Sequence, residues 1–582
     1  MKTCRHCSTE FEVTEEDRAF YDKISAVFNG VKYAIPEPST CPECRLQQRL
    51  YFRHRGKLYT RTCDATGKKI ITMYSPEVPW KVYDQTAWWS DRWNPLDYGR
   101  DFNFSKPFFE QLESLCKAVP HISLINVNSE NSYYCNHCLN QKNCYLVVGG
   151  TNCEDCSYGH FLLSCNNVLE GDALYSCQYS YEGVASVGCY QCLYFTNSRN
   201  CSDCFMISDC QNCQYCIGCF GLQQKKYYIF NAFVGEEKYK AFVKAHLTPI
   251  STKTIQSIRE QFMSIALCAP HRCANITASE TCTGDLVVNS KNCKNAFAVN
   301  TSENCKYISN SPNSFGSYDC SYTAPIGAQH CYFSVSTLSQ NTLFGYMLWH
   351  CHDCLYSIEC HNSGPLFGCV GLNQKKYCIF NKQYTKEQYE ELVPKIIEHM
   401  KQTGEWGEFF PLALSPFGYN ESAADDDFPM TREEVIEQNK KMDNSGVEPL
   451  HATALQIQKF NWSDYESPTP KVEKVITKEM MKNLPDDISK IPDDVLNWAL
   501  TCEESGKLFI IQKPELEFYR KINLPLPHRH PDIRHADRMK LRNPRKLWKR
   551  TCGNCGTAME TTYSPDRPEK ILCEKCYLDV VL

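Results

Sequence analysis

The chain has 582 residues and a formal net charge of −5 at pH 7, which excludes a whole-molecule electrostatic grip on nucleic acid or an acidic membrane; any such grip must be local. Its 38 cysteines far exceed ordinary usage, in a chain long enough for three or more domains. No signal-like apolar run follows Met1-Lys2-Thr3-Cys4, and no stretch approaches the ~18 apolar residues of a membrane helix. These features predict a cytoplasmic protein whose thiols stay reduced, as metal ligands or buried small side chains.

At the amino terminus Cys4-Arg5-His6-Cys7 is followed, after 33 residues, by Cys41-Pro42-Glu43-Cys44. Zinc takes four soft ligands in a tetrahedron, and each C-x2-C turn offers two thiolates from one knuckle. The interval holds a predicted helix from Thr14 to about Ala26, opened by a Thr14-x-x-Asp17 cap. Beyond the second pair, Arg45, Arg49, Arg53 and Lys57 recur every four residues and share one helix face. Residues 1–62 thus read as a zinc-ribbon module. Residues 63–119 read as a degenerate module and connector, keeping Cys63 but carrying Thr66 where a second cysteine is needed.

Periodicity then takes over. Cys153, Cys165, Cys177, Cys189, Cys201 and Cys213 lie 12 residues apart, with a second row at Cys156, Cys192, Cys204 and Cys216. Short β-prone pieces between polar corners at this spacing predict a stacked β-solenoid, or β-helix. The pattern is duplicated: residues 219–231 return as 369–381. Residues 120–248 form the first repeat, with a capping helix from Glu236 to Leu247. Residues 249–402 form the second, with a helix from Tyr384 to Met400 behind a Thr385-x-x-Gln388 capping box. The row cysteines read as core thiols in preference to ligands, although Cys213-x-x-Cys216-x-x-Cys219 could bring thiolates together. Asp203 and Asp209, which align with Asp353 and Glu359, are the carboxylates a carbohydrate-active β-helix would use. No basic partner repeats beside them, and no phosphate loop or nucleophile triad stands out.

Residues 403–500 read as an acidic, polar linker containing Asp425, Asp426, Asp427 and a short helix from Arg432 to Asn439. Residues 501–550 are a degenerate zinc module with a basic helix, and 551–582 a carboxyl-terminal zinc ribbon. There Cys552-Gly553-Asn554-Cys555 and Cys573-Glu574-Lys575-Cys576 are separated by 17 residues, a spacing specific for a structural site. The end blocks are copies: "RGKLYTRTC" matches "PRKLWKRTC", and "EFEVTEEDRAFYDKI" matches "LFIIQKPELEFYRKI". In the second copy Cys502 stands for Cys4, Ser505 for Cys7, His530 for Cys41 and Ile533 for Cys44, so Cys502 with His530 is a weak metal candidate needing two more ligands, such as His528 or His535. Arg534, Arg538, Arg542 and Lys546 repeat the basic helix, and residues 520–550 carry eleven Lys/Arg against two Asp/Glu.

The pattern Cys4, Cys7, Phe20, Tyr21, Cys41, Pro42, Cys44, Arg45 resembles a zinc-ribbon family, and the carboxyl-terminal module resembles C-x2-C-x17-C-x2-C zinc proteins. The body, with "KKYCIFN" and "GEWGEFFPLALSPFGYNE", resembles uncharacterised bacterial proteins and implies no reaction. Ribbons of this kind imply an association with nucleic-acid proteins. The reading is a mainly β, zinc-binding scaffold with about two structural zinc ions. Its partner would be RNA, DNA or a protein, contacted through Arg45, Arg49, Arg53, Arg534, Arg538 and Arg542. A membrane partner and a small-molecule substrate are not expected. The alternatives are a carbohydrate-active β-helix enzyme and a thiol-rich metal store, and the sequence leans against an enzyme.

Overall fold

The computed structural model describes residues 1–323, 328–443, 459–466 and 472–581. It is mixed, with 26% helix and 28% strand in many small sheets, none of them closed, so mainly β is too strong a description. The chain divides into two compact units. One comprises Met1–Ser123, Ala274–Tyr465 and Arg545–Leu547; the other comprises Leu124–Cys273, Glu466–Pro544 and Trp548–Leu582. Each unit joins one terminal block to the cysteine-rich segment remote from it in sequence.

In the second unit the cysteine-rich segment is a parallel ladder. His160 pairs with Asp172, Leu169 with Tyr181, Leu193 with Phe205 and Phe205 with Ile217, each 12 residues on. The short antiparallel strand Ala232–Phe233 ends the ladder, and the helix Glu236–His246 follows. In the first unit Gly284 pairs with Ala296, Cys354 with Leu366 and Leu366 with Cys378 at the same interval. One step differs, since Tyr318 pairs with Tyr332 and the repeat there is 14 residues.

A finer period of three lies inside the twelve. A left-handed φ recurs at every third residue, as at Asn152, Asp155, Tyr158 and Phe161 (φ 53°, 53°, 53° and 54°). A non-glycine residue resists this conformation unless its surroundings fix it. Here the stacked backbone does so: Asp155 N–H donates to Lys142 O and Tyr158 N–H to Tyr145 O, at 3.0 and 2.9 Å. The residue after each corner points inward. One repeat therefore offers Cys153, Cys156, Gly159 and Leu162, and a later one Cys189, Cys192, Phe195 and Ser198. All seven with side chains are at most 2% exposed.

Four inward side chains per repeat leave little volume, and this selects cysteine. Where a larger group intrudes, a neighbour shrinks to glycine. A Cβ on Gly159 would lie 2.3 Å from Leu162 Cδ1, and one on Gly183 2.3 Å from Phe195 Cζ. Each thiol donates to two backbone carbonyls: Cys153 Sγ reaches Thr151 O at 3.4 Å and Leu162 O at 3.3 Å, and Cys192 Sγ reaches Tyr190 O at 3.5 Å and Cys201 O at 3.4 Å. The thiol thus behaves as a small apolar group whose weak polarity is satisfied.

The expected helices form. Glu15–Ile24 and Lys386–Gln402 start with complete capping boxes, Thr14 with Asp17 and Thr385 with Gln388. Arg432–Asp443 is also helical. The stretch read as a linker is packed structure where it is described. Phe460 is buried against Tyr51 and Tyr419, with ring centroids 4.9 and 5.0 Å away. Ile476, Met481, Ile488 and Val495 join the core of the second unit with Leu516 and Tyr519. Residues 444–458 and 467–471 of that stretch, and Leu582 of the carboxyl-terminal ribbon, lie outside the described residues.

Candidate metal centres

Two groups of four cysteines have all their sulfurs within 4.8 Å of one another: Cys4, Cys7, Cys41, Cys44 and Cys552, Cys555, Cys573, Cys576. Both are assembled in the same way. The first pair sits on a knuckle between antiparallel strands, Lys2–Thr3 with Glu10–Phe11 in one case and Trp548–Thr551 with Ala558–Thr561 in the other. The second pair sits at the start of a helix, Pro42–Tyr51 or Glu574–Val581. The positive end of the helix dipole therefore faces the thiolates.

The spacing fits a tetrahedral thiolate site. A metal–sulfur bond of about 2.3 Å gives a tetrahedral edge of about 3.8 Å. Cys7 Sγ lies 3.7 Å from Cys41 Sγ, and Cys555 Sγ 3.8 Å from Cys573 Sγ. Backbone amides add negative-charge stabilisation: Cys41 N–H donates to Cys4 Sγ at 3.2 Å, and Cys573 N–H to Cys552 Sγ at 3.3 Å.

Without a cation the thiols must share protons. A hydrogen bond from Cys44 pulls Cys7 down to about 6, while the bond that Cys41 makes to Cys4 pushes Cys41 up to about 12. Backbone N–H groups of Cys555 and Cys573 hold Cys552 down to about 6. One thiol of each set ionises at its neighbours' expense. A dication removes that competition by replacing the protons.

The knuckle backbone occurs four times. At Cys4, Cys63, Cys502 and Cys552 the cysteine N–H donates to the carbonyl five residues on, at 2.9, 2.8, 2.9 and 2.9 Å. The residue four positions on has left-handed φ each time: Ser8 59°, Gly67 70°, Gly506 72°, Gly556 72°. Two of the four have lost their ligands and kept this turn. Cys63 Sγ donates to Asp84 Oδ2 at 3.3 Å and accepts from Asp84 N–H at 3.3 Å, so a carboxylate closes the vacated knuckle. Cys502 Sγ accepts from Ser505 N–H at 3.4 Å, and His530 Nδ1 accepts from Asp532 N–H at 3.1 Å as a helix cap. Among the described residues no three-ligand group includes Cys502 and His530, so the weak metal candidate is not assembled. The ladder cysteines form no such group either.

The arginines expected to meet nucleic acid face the interior. Arg45 and Arg49, on the helix Pro42–Tyr51, converge on Asp319: Arg45 Nε to Oδ2 at 3.0 Å and Arg49 Nη1 to Oδ1 at 2.9 Å. Arg53 is buried with its guanidinium over the Tyr322 ring, 4.6 Å from the centroid. In the other unit Arg534 and Arg538, on the helix Pro531–Lys540, both bind Glu170, and Arg542 binds Asp172 at 3.2 Å. Asp319 and Glu170 are fully buried at left-handed corners of the two ladders. The surroundings repeat as well, since Arg45 lies over Tyr307 and Arg534 over Tyr158, at 5.3 and 5.6 Å. The four-residue arginine spacing therefore clasps each terminal block to its ladder. A solvent-facing basic surface at these six positions is overturned, because a buried charge needs a buried counter-charge and the ladder supplies it.

The carboxylates considered for catalysis are engaged likewise. Glu359 is buried, accepting from Tyr74 Oη at 2.7 Å and lying 2.8 Å from His121 Nδ1. Asp353 accepts from Asn341 Nδ2 at 3.1 Å. Asp203 and Asp209 occupy left-handed corners.

No protein-family profile and no curated protein matches the chain. A solved structure described as a "putative acetyltransferase" from Desulfovibrio desulfuricans G20 aligns at 11% identity over 42% of this chain, with a TM-score of 0.10. The chain spans 64% of that protein, less than two thirds of its length, and at this TM-score the likeness carries no argument.

Proposed function

We propose that this protein is a zinc-binding scaffold in which two structural zinc ions hold the terminal blocks and two β-solenoids provide the body. The observation that carries the reading is the closed four-sulfur geometry of both centres, with edges of 3.7 and 3.8 Å. Four protein thiolates leave no position for water or substrate, so the metal acts as a structural tie. The solenoid reading rests on the twelve-residue parallel pairing and its four left-handed corners, each repeat being one coil with three residues to a side. Inward thiols bonded to carbonyls suit a reducing compartment, and cytoplasmic location is proposed on that ground. Among the described residues no helix is long and apolar enough to cross a membrane.

Removing metal tests the reading. Treatment with a zinc chelator should make the two knuckle regions protease-sensitive while residues 130–230 and 340–380 stay protected. Uniform protection after verified metal removal would refute structural zinc. Uniform collapse would place metal within the ladders and favour a metal store.

A further inference from the structure

The second unit contains an open groove of about 710 Å³ between its ladder and the helix Lys513–Ile522. One wall is a row of corner residues 12 apart, Asn131, Asn143, Asp155 and Asn167. The row is pre-ordered: Asn131 Nδ2 donates to Asn143 Oδ1 at 3.1 Å, and Asn143 Nδ2 to Asp155 Oδ1 at 3.0 Å. Val168, Leu169 and Phe518 supply apolar surface. At one end stand Tyr133, 74% exposed, and Tyr134, 41% exposed, the second braced edge-on by Tyr145 at 5.4 Å.

We propose that this groove binds a neutral oligosaccharide. A side-chain amide has two donors and two lone pairs, so each asparagine in the row retains capacity beyond its neighbour bond and can pair with adjacent hydroxyls. Tyrosine offers a rigid apolar face for the C–H side of a sugar ring and a hydroxyl for its rim. Corner residues recur once per rung, about 4.8 Å apart, so the wall presents the same group repeatedly and suits a ligand that also repeats. Charge argues against a polyanion. The lining carries Asp155 and Glu517 against Lys521, whose ammonium already sits over the Tyr179 ring at 4.1 Å. A nucleic-acid groove would need several free cations along its length. The inference is independent of the zinc centres.

The test is affinity electrophoresis of the full-length, metal-loaded protein in gels containing soluble uncharged β-glucan, xylan or mannan, with polygalacturonate as the charged control. At least one neutral polymer should retard the protein. Tyr133→Ala/Tyr134→Ala should weaken that binding at least about tenfold. Asn143→Ala should weaken it too, with circular dichroism and metal content unchanged in both variants. Tyr190→Ala, at a 42% exposed tyrosine outside the groove, should bind as the parent does. No retardation by any neutral polymer, retardation by polygalacturonate alone, or full binding by the double tyrosine variant would overturn the proposal.

Discussion

Asp319→Asn isolates the clasp that ties the amino-terminal block to its ladder. The parent carboxylate is completely buried and faces two guanidiniums whose side chains are 2% and 1% exposed. Removing its charge leaves both cations in the interior. Thr40 O and Ser321 Oγ still accept from Arg45 and Arg49, which limits the loss without cancelling it. Breaking one buried pair costs about 3–5 kcal/mol. For a body this large about 2 °C of Tm accompanies each kcal/mol, so the unfolding transition of the first unit should fall by about 6–10 °C. Calorimetry is the assay, with the transitions fitted separately because two units need not unfold together. Glu170→Gln should do the same to the second unit. An apolar replacement of the whole clasp, Arg45→Met/Arg49→Met/Asp319→Leu, should recover most of the loss. Glu154→Gln is the control, since its pair with Lys142 has side chains 42% and 52% exposed and is worth at most about 1 kcal/mol. If Asp319→Asn shifts the transition no more than Glu154→Gln, the arginines are not the clasp.

Gly183→Ala places a methyl 2.3 Å from Phe195 Cζ and should cost about 1–3 kcal/mol in chemical denaturation, relieved when Phe195→Leu is added. An uncompensated double variant would refute the volume argument for the ladder interior. Cys502→Ser should leave the metal content of the chain unchanged by mass spectrometry, since its knuckle has lost its partners. Burial holds His54 and His361 down to about 4, below the ordinary 6.5. The unfolded state then binds more protons between pH 6.5 and about 4, so stability is complete above 6.5 and falls as pH falls through that window. Each histidine contributes on the order of 3 kcal/mol, and His54→Gln/His361→Gln should flatten the pH dependence of the midpoint. An unchanged slope would contradict neutral burial.

Local signals were legible in the sequence wherever one residue type carries them alone. Capping boxes at Thr14 and Thr385 and cysteine pairs at both ends need no tertiary knowledge, and each appears where spacing placed it. The twelve-residue interval likewise became the pairing register. The three-residue period stayed hidden because cysteine fills only some inward positions. Gly159, Leu162, Phe195 and Ser198 fill others, and these residues mark no period by themselves. The arginines misled for another reason. Their spacing correctly puts them on one helix face, but the face is decided by a counter-charge 270 residues away in the case of Arg49 and Asp319. Nothing in the sequence distinguishes Asp319 or Glu170 from the many polar corners around them. The helical content of the end blocks likewise diluted the expected dominance of strand.

The central claim is that two four-cysteine centres hold metal as structural ties. Its most direct test is the metal-to-protein ratio of chain purified without added metal, by elemental and native mass spectrometry. The account predicts two zinc ions per chain, one in Cys41→Ser, one in Cys573→Ser and none when both are changed. Fewer than one ion in the parent, or several ions that survive the double substitution, would contradict it.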